Sequence, residues 1–467
     1  MRSIGAACAV VASTGLALAL VWAANSIVPH VYMDEPFHQD QMASYCRGNF
    51  SYWNPKLTTP PGLYVASGAA LILPLRLLRA VVGLPASVVV DEDCGVTLLR
   101  YFNALTVPAL LVTIACIIKE LGPHDGSQSS EQSRLYLEAA VVVQFPLICF
   151  FCMLYYTDQL SLLAVLLCYY FSLRRRDRSA SIAGAFAMFC RQTNVVWVAY
   201  FAALRLCRLL VAACRKKADV RADDVLTTAL RELVVERRNR IRPVFVATTG
   251  GVAPYLLVGA SFVAAVLWNG GLALGDRSAH QALFYFVGFT CVFGIAHLVP
   301  YAAAAMTKLI NWKTPIICGI LAVALRWCTY VHPYLLADNR HYTFYVWRRL
   351  LSGDSWEGLP YLLLPVYLIG FRLIDASLAQ RRRSAVFRVG FWCAVALTTV
   401  PNKLLEFRYF LVGFVFWRLH VRRPNSSWTL AAELLLYTCV NAVTVYRYLF
   451  KPFVWHNEPQ QLQRFMW

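Results

Sequence analysis

The chain has 467 residues, 59% of them hydrophobic and only 15% charged, with a mean hydropathy of +0.52. Soluble globular chains are roughly half apolar and a quarter charged, so two or three soluble domains would have no charged shell here, and 15 cysteines, most of them inside apolar runs, are too sparse for an extracellular disulfide scaffold. The net charge of +19 fits a nucleic-acid binder or a membrane protein whose Lys and Arg gather in cytoplasmic loops, and the arrangement of the charges decides for the membrane.

A bilayer-crossing helix needs about 20 predominantly apolar residues. Such stretches recur at 5–29, 97–118, 135–154, 159–173, 180–212, 244–268, 282–304, 314–330, 358–371, 384–400, 404–421 and 428–450. The first is longer than the apolar core of a secretory signal and lacks a clear cleavage site, so it reads as a retained span. The stretch 180–212 has room for two passes, with Arg191-Gln192-Thr193-Asn194 as a polar turn between them. The expectation is an all-α polytopic membrane protein of about thirteen spans. Residues 60–83 open with Pro60-Pro61-Gly62 and carry Arg76 and Arg79 on one face. They read as an amphipathic helix lying along the interface rather than crossing it.

With the N-terminus cytoplasmic, Arg174–Arg176, the basic segment 213–243, Arg381–Arg383 and Arg422-Arg423 fall on one side. The positive-inside rule assigns that side to the cytosol. No linker or internal repeat divides the chain, which reads as one integral membrane domain over 1–467 with a first lumenal loop at 31–96. The sequon Asn49-Phe50-Ser51 then faces the exoplasmic side and Asn425-Ser426-Ser427 the cytosol. Cys46 and Cys94, both in the first exoplasmic stretch, are able to pair in an oxidising lumen or to stay free.

The opposite side carries mixed clusters instead of basic runs: Met33–His38, Tyr155–Asp158, Arg191–Asn194, Gly275–His280, Ala337–Tyr342 and Asn402–Arg408. Polar groups at helix ends near hydrocarbon are costly unless paired, so their repeated placement on one face points to a shared site. Asp34 and Glu35 are adjacent and cannot share a helix face, so at most one carboxylate enters a given pocket, where it would suit a general base acting on a hydroxyl. A helix cap, or an ion pair with Arg47 or Lys56, would account for either acid equally well.

The stretch from His332 to Arg349 joins Arg and His, which suit a phosphate, to aromatic faces that suit a sugar or a lipid tail. Within it Arg348-Arg349 reads as part of an interfacial belt. Lys403 and Arg408 bracket Glu406, one free for an anion and the other neutralising the acid. Asp276, Arg277 and His280 read as a loop held by its own ion pair. There is no His-Glu-x-x-His and no nucleotide-binding glycine loop, so neither a metal nor a cofactor is expected. A transporter or flippase is the rival class, but transporters commonly show related halves and midplane polar sites.

Several blocks carry a specific likeness. Tyr32-Met33-Asp34-Glu35 with Phe37-His38, Thr58–Tyr64, Leu154–Thr157, Arg191–Asn194, Gly275–Ser278, Leu335–Tyr342 after His332-Pro333, Lys403–Tyr409 and Leu462–Trp467 follow in order over nearly the whole chain. Together they resemble the endoplasmic-reticulum dolichyl-phosphate-glucose α-1,2-glucosyltransferases. Asp158 stands where that family more often has Glu, which keeps the charge.

The resemblance implies a GT-C glycosyltransferase fold, short interfacial helices in the first lumenal loop, and a lumenal active site in the endoplasmic reticulum membrane. It implies transfer of glucose from dolichyl phosphate β-D-glucose to the 2-hydroxyl of the terminal glucose of Glc2Man9GlcNAc2-PP-dolichol, giving the triglucosylated lipid. A β donor and an α product require one inversion. Asp34 is then the expected base, with Glu35 as its alternative. The leaving phosphate would meet Arg340 and His341, then Arg408, Lys403 and Arg191. His38, Asp158, Gln192, Asn194, Asp338 and Asn339 would hold sugar hydroxyls. The partners implied are the two lipid-linked substrates and the bilayer, with no nucleic acid.

Overall fold

The computed structural model describes residues 2–82, 94–122, 131–214, 238–268, 271, 282–307, 312–327, 338–348, 359–379, 384–401, 405–421 and 427–467. Lys403, the cluster 275–280, the basic stretch 215–237 and the arginine runs 381–383 and 422–423 lie outside the described residues. What is described is helical apart from one two-stranded ribbon.

Helix α1 (Arg2–Ile27) buries Ala17, Val21 and Ala24 and leaves Val11, Leu16 and Trp22 exposed. An apolar outer face is what lipid, not water, selects. It packs on α5 (Val96–Glu120) and α6 (Glu131–Val143). Between α1 and α5 lie α2 (Glu35–Cys46), α3 (Gly62–Ser67), a π-helical turn at Gly68–Ile72 and α4 (Leu73–Val82). The disulfide Cys46–Cys94 ties the end of α2 to the start of α5. Gly62 is required at its place, because a Cβ there would sit 2.6 Å from the Phe189 carbonyl oxygen.

Next come α7 (Pro146–Phe151), α8 (Asp158–Leu173), α9 (Asp177–Cys190) and α10 (Asn194–Cys214). The stretch 180–212 is therefore two helices turning at Arg191–Thr193, as its polar interruption predicts. The chain continues through α11 (Arg238–Trp268), α12 (Ala282–Phe293), α13 (Ile295–Leu298), α14 (Ala302–Thr307), α15 (Lys313–Trp327), α16 (Tyr342–Val346), α17 (Leu359–Leu362), α18 (Leu364–Ala379) and α19 (Ala385–Thr399). A 3-10 turn at Phe407–Phe410 leads into α20 (Leu411–His420), then α21 (Ser427–Phe450) and the ribbon β1 (Phe453–Trp455) and β2 (Glu458–Gln463).

By length and composition, five helical stretches among the described residues could cross a membrane, or six if a bent pair counts as one span. The described residues do not confirm the count of thirteen, and two of the expected runs are broken for local reasons. The run 135–154, expected as one span, breaks before Pro146, which lacks an N–H and holds Phe145 extended at φ −50° and ψ 131°. The run 282–304 bends by 84° at Gly294, where a Cβ would meet the Trp417 ring at 2.3 Å. Residues 62–82 form a helical stretch long and apolar enough to cross, so length does not distinguish it from an interfacial helix. Its amphipathy is visible: Arg76 donates to the Cys46 carbonyl at 3.3 Å, while Leu73, Leu77, Leu78 and Val81 are exposed.

Deep in the body, Arg418 of α20 bonds Glu433 of α21 at 2.7 and 2.8 Å and Glu138 of α6 at 3.1 Å. His297 and Tyr437 also reach Glu433, each at 2.9 Å. All five are buried, and such charges persist in an apolar interior only when paired on every side. This network and the stacked rings of Phe145 and Phe414, 4.3 Å apart, fix α20 against its neighbours. The start of α20 is thereby held where Arg408 meets the site.

Candidate active site

The turn after α1 sets the geometry. Met33 has a φ of +57°, a conformation few side-chain-bearing residues adopt, and it reverses the chain so that Asp34 caps α2. The Asp34 N–H donates to the Tyr156 hydroxyl at 3.0 Å, and its carboxylate accepts from Arg408 at 3.1 Å. Arg408 also pairs with Glu406 and lies over the Tyr156 ring. Burial, the largest single influence, pushes the Asp34 carboxyl up, but the charge of Arg408 and its hydrogen bond, with smaller contributions from neighbouring groups, together hold it below the usual carboxylate range.

Glu35 is oriented the other way. It is fully buried, accepting from Arg100 at 2.9 and 2.6 Å, from the Tyr155 N–H at 2.9 Å and from the Tyr32 N–H at 3.1 Å. Its partner is Arg100, not the Arg47 or Lys56 offered by the sequence. His38 is buried against Tyr64, Tyr155 and Tyr156, and its Nδ1 lies 2.8 Å from the Tyr64 hydroxyl. Burial lowers its pKa to about 4, so the ring is neutral at physiological pH.

Asp34 opens on a cavity of about 990 Å³ whose walls include Asp338, Arg340, His341, Glu406 and residues 460–464. Arg340 clamps Asp338 through Nε at 2.8 Å and Nη2 at 2.7 Å, donates to Gln463 at 2.9 Å and stacks on Trp455. Burial raises the Asp338 pKa, and the bonds from Arg340 together with His341 bring it below the ordinary value. The Asn339 side-chain oxygen accepts from the Trp455 ring N–H at 2.7 Å, and His341 Nδ1 meets the Trp467 main-chain oxygen at 2.8 Å.

A second group adjoins Arg408. Arg191 pairs with Asp158 at 2.8 Å and lies over Tyr409, whose ring also faces Arg408. Asn194 donates to the Ser161 hydroxyl and the Ala187 carbonyl, each at 2.7 Å, and Gln192 to the Thr58 carbonyl at 3.1 Å. Arg408, Tyr409, Asp158, Arg191 and Asn194 line one small pocket. The twelve described candidates therefore divide into a cavity group, this second group, and the inward-turned Glu35 and His38.

Sequence reasoning passed over three contributors. Arg100, a lone cation at the head of an apolar span, was the available sign of a buried acid. Tyr32 binds the main chain of Arg464 in both directions at 2.7 Å, and the ribbon beyond α21 closes one wall of the cavity. Tyr32 and Arg464 lie in blocks that carry the family likeness, but nothing local in the sequence announces that they meet.

The fold and site define a polytopic helical membrane protein in which an acid lining a large cavity pairs with a guanidinium from an adjoining pocket. Residues 28–419 match the model of the DIE2/ALG10 family, and the chain belongs to that family. It is similar to the Dol-P-Glc:Glc(2)Man(9)GlcNAc(2)-PP-Dol alpha-1,2-glucosyltransferase of Mus musculus, 34% identical with 93% of each chain covered. It is similar to proteins of the same name from Homo sapiens, at 33% over 93% of each, and Arabidopsis thaliana, at 31% over 95% of this chain and 96% of that one. Among solved structures, the apo crystal structure of the Archaeoglobus fulgidus oligosaccharyltransferase aligns with a TM-score of 0.46 at 11% identity, covering 94% of this chain and 55% of that one.

Proposed function

We propose that the protein transfers glucose from dolichyl phosphate β-D-glucose to the 2-hydroxyl of the terminal glucose of Glc2Man9GlcNAc2-PP-dolichol, with inversion, at the lumenal face of the endoplasmic reticulum membrane. The names of the relatives supply the substrates. The observation that carries the chemistry is Asp34, which lines the cavity, paired with Arg408, which lines the small pocket beside it. Asp34 takes the proton of the acceptor hydroxyl as its oxygen forms a bond to the anomeric carbon. The bond from that carbon to the phosphate oxygen breaks on the opposite face, and dolichyl phosphate leaves with the electron pair. Its growing charge is met by Arg408, with Arg191 and Arg340 as further cations and the His341 ring as a hydrogen-bonding neighbour; Lys403, the remaining candidate, lies outside the described residues.

Glu35 serves this scheme as a fixed anchor for the acidic turn, since its four bonds leave it no room to take a proton. Asp158, Gln192, Asn194, Asp338 and Asn339 supply acceptors and donors for sugar hydroxyls, and His38 packs beneath the base. The scheme assigns its cationic roles to side chains. No observation favours the transporter reading.

The test is transfer by the purified protein from dolichyl phosphate glucose to the diglucosylated lipid, with chelator present. One added glucose in α linkage, at an undiminished rate, is the expected result. A folded protein that binds both lipids and transfers nothing would overturn the proposal.

A further inference from the structure

The ribbon beyond α21 has an irregular register. Val454 pairs with Leu462 and Trp455 with Glu458, so Pro459, Gln460 and Gln461 have no partners across the ribbon. Extra residues in one strand bend it and re-aim its side chains, and such bulges recur beside active sites. Here the bulge turns to the cavity, whose lining includes Gln460 and Gln461. Both are exposed, and neither side-chain amide is engaged by a described residue.

The ribbon itself is held firmly. Gln463 accepts from Arg340, Trp455 stacks under that guanidinium and donates to Asn339, and Arg464 bonds Tyr32 and the carbonyls of Tyr448 and Leu449. A rigid support carrying two uncommitted amides is suited to recognition, because each amide offers both donors and an acceptor and matches the alternating demands of neighbouring hydroxyls.

We propose that Gln460 and Gln461 bind hydroxyls of the acceptor glycan and set the enzyme's hold on that substrate; the inference rests on the glucosyl-transfer reading. The acceptor is favoured over the donor by position. The ribbon follows the end of α21 and exposes His456, Asn457 and Glu458 at its turn, with Val454 and Leu462 exposed along its sides, so the turn suits water and the sides suit the bilayer interface. The donor brings a single sugar on a membrane-embedded lipid, whereas the acceptor extends many sugars into the aqueous space beside the cavity.

The experiment is steady-state kinetics of Gln460→Ala/Gln461→Ala in the purified full chain, each substrate varied in turn. The KM for the diglucosylated lipid should rise about tenfold, the size expected for two lost neutral hydrogen bonds, while the KM for dolichyl phosphate glucose stays at its original value. An unaltered acceptor KM, or a rise confined to the donor, would overturn the inference and leave the transfer reading standing. No transfer by the unsubstituted protein would overturn both.

Discussion

Asp34 has 37% of its side chain exposed and accepts from one guanidinium at 3.1 Å, whereas Glu35, the next residue, is wholly buried under four bonds from Arg100, Tyr155 and Tyr32. The two differ by one methylene and one position in the chain, yet they sit in opposite settings. A carboxylate that spends all its acceptor sites on the protein is scaffold. One that keeps lone pairs facing a cavity is able to react. The contrast also explains why both acids stand together: the buried pair fixes the turn, and the turn aims its neighbour.

The comparison breaks first at Asp34. Asp34→Asn keeps the size and the N–H bond to Tyr156 while removing the base, and kcat/KM should fall by about 10²- to 10⁴-fold with the melting temperature nearly unchanged. Equal activity of the variant and the parent would remove Asp34 from the mechanism. Glu35→Gln should do the reverse. It leaves the Arg100 cation buried without its counter-charge, at a cost of about 3–5 kcal/mol in stability, read as a lower melting temperature in detergent. Activity per folded molecule should fall far less than in Asp34→Asn, and the opposite ranking would exchange the two roles.

The smallest effect concerns His38, beside Asp34. Its folded pKa of about 4 lies below the ordinary 6.5, so between these values the unfolded chain binds a proton that the folded one refuses. Stability conferred by the neutral ring is complete above pH 6.5 and is lost as pH falls towards 4. Raising the pH from about 5.5 to 6.5 should therefore add about 1 kcal/mol through this residue. The increment should vanish in His38→Gln, and its persistence there would assign the pH dependence to another group.

The sequence made visible that one of the two acids at most enters a pocket, since neighbours on a helix point apart. It did not reveal which, because Arg100 is 65 residues from Glu35 and Arg408 lies farther still. The helical turn at Arg191–Thr193 was legible from its polar residues. The breaks at Phe145 and Gly294 were hidden inside apolar runs, where one proline or one ring–backbone contact outweighs hydropathy. Arg340 read as a free phosphate ligand, and its commitment to Asp338, Gln463 and Trp455 depends on a ribbon that periodicity alone would not place there.

Tyr32 and Arg464, whose mutual bonds join the acidic turn to the ribbon, are 432 residues apart. Translation at about 5–20 residues per second separates their emergence by roughly 20 to 90 seconds. Throughout that interval the acidic turn is already made while the ribbon that lines its cavity is still unsynthesised. The early acidic turn therefore waits on the last segment made for the bonds that join it to the ribbon.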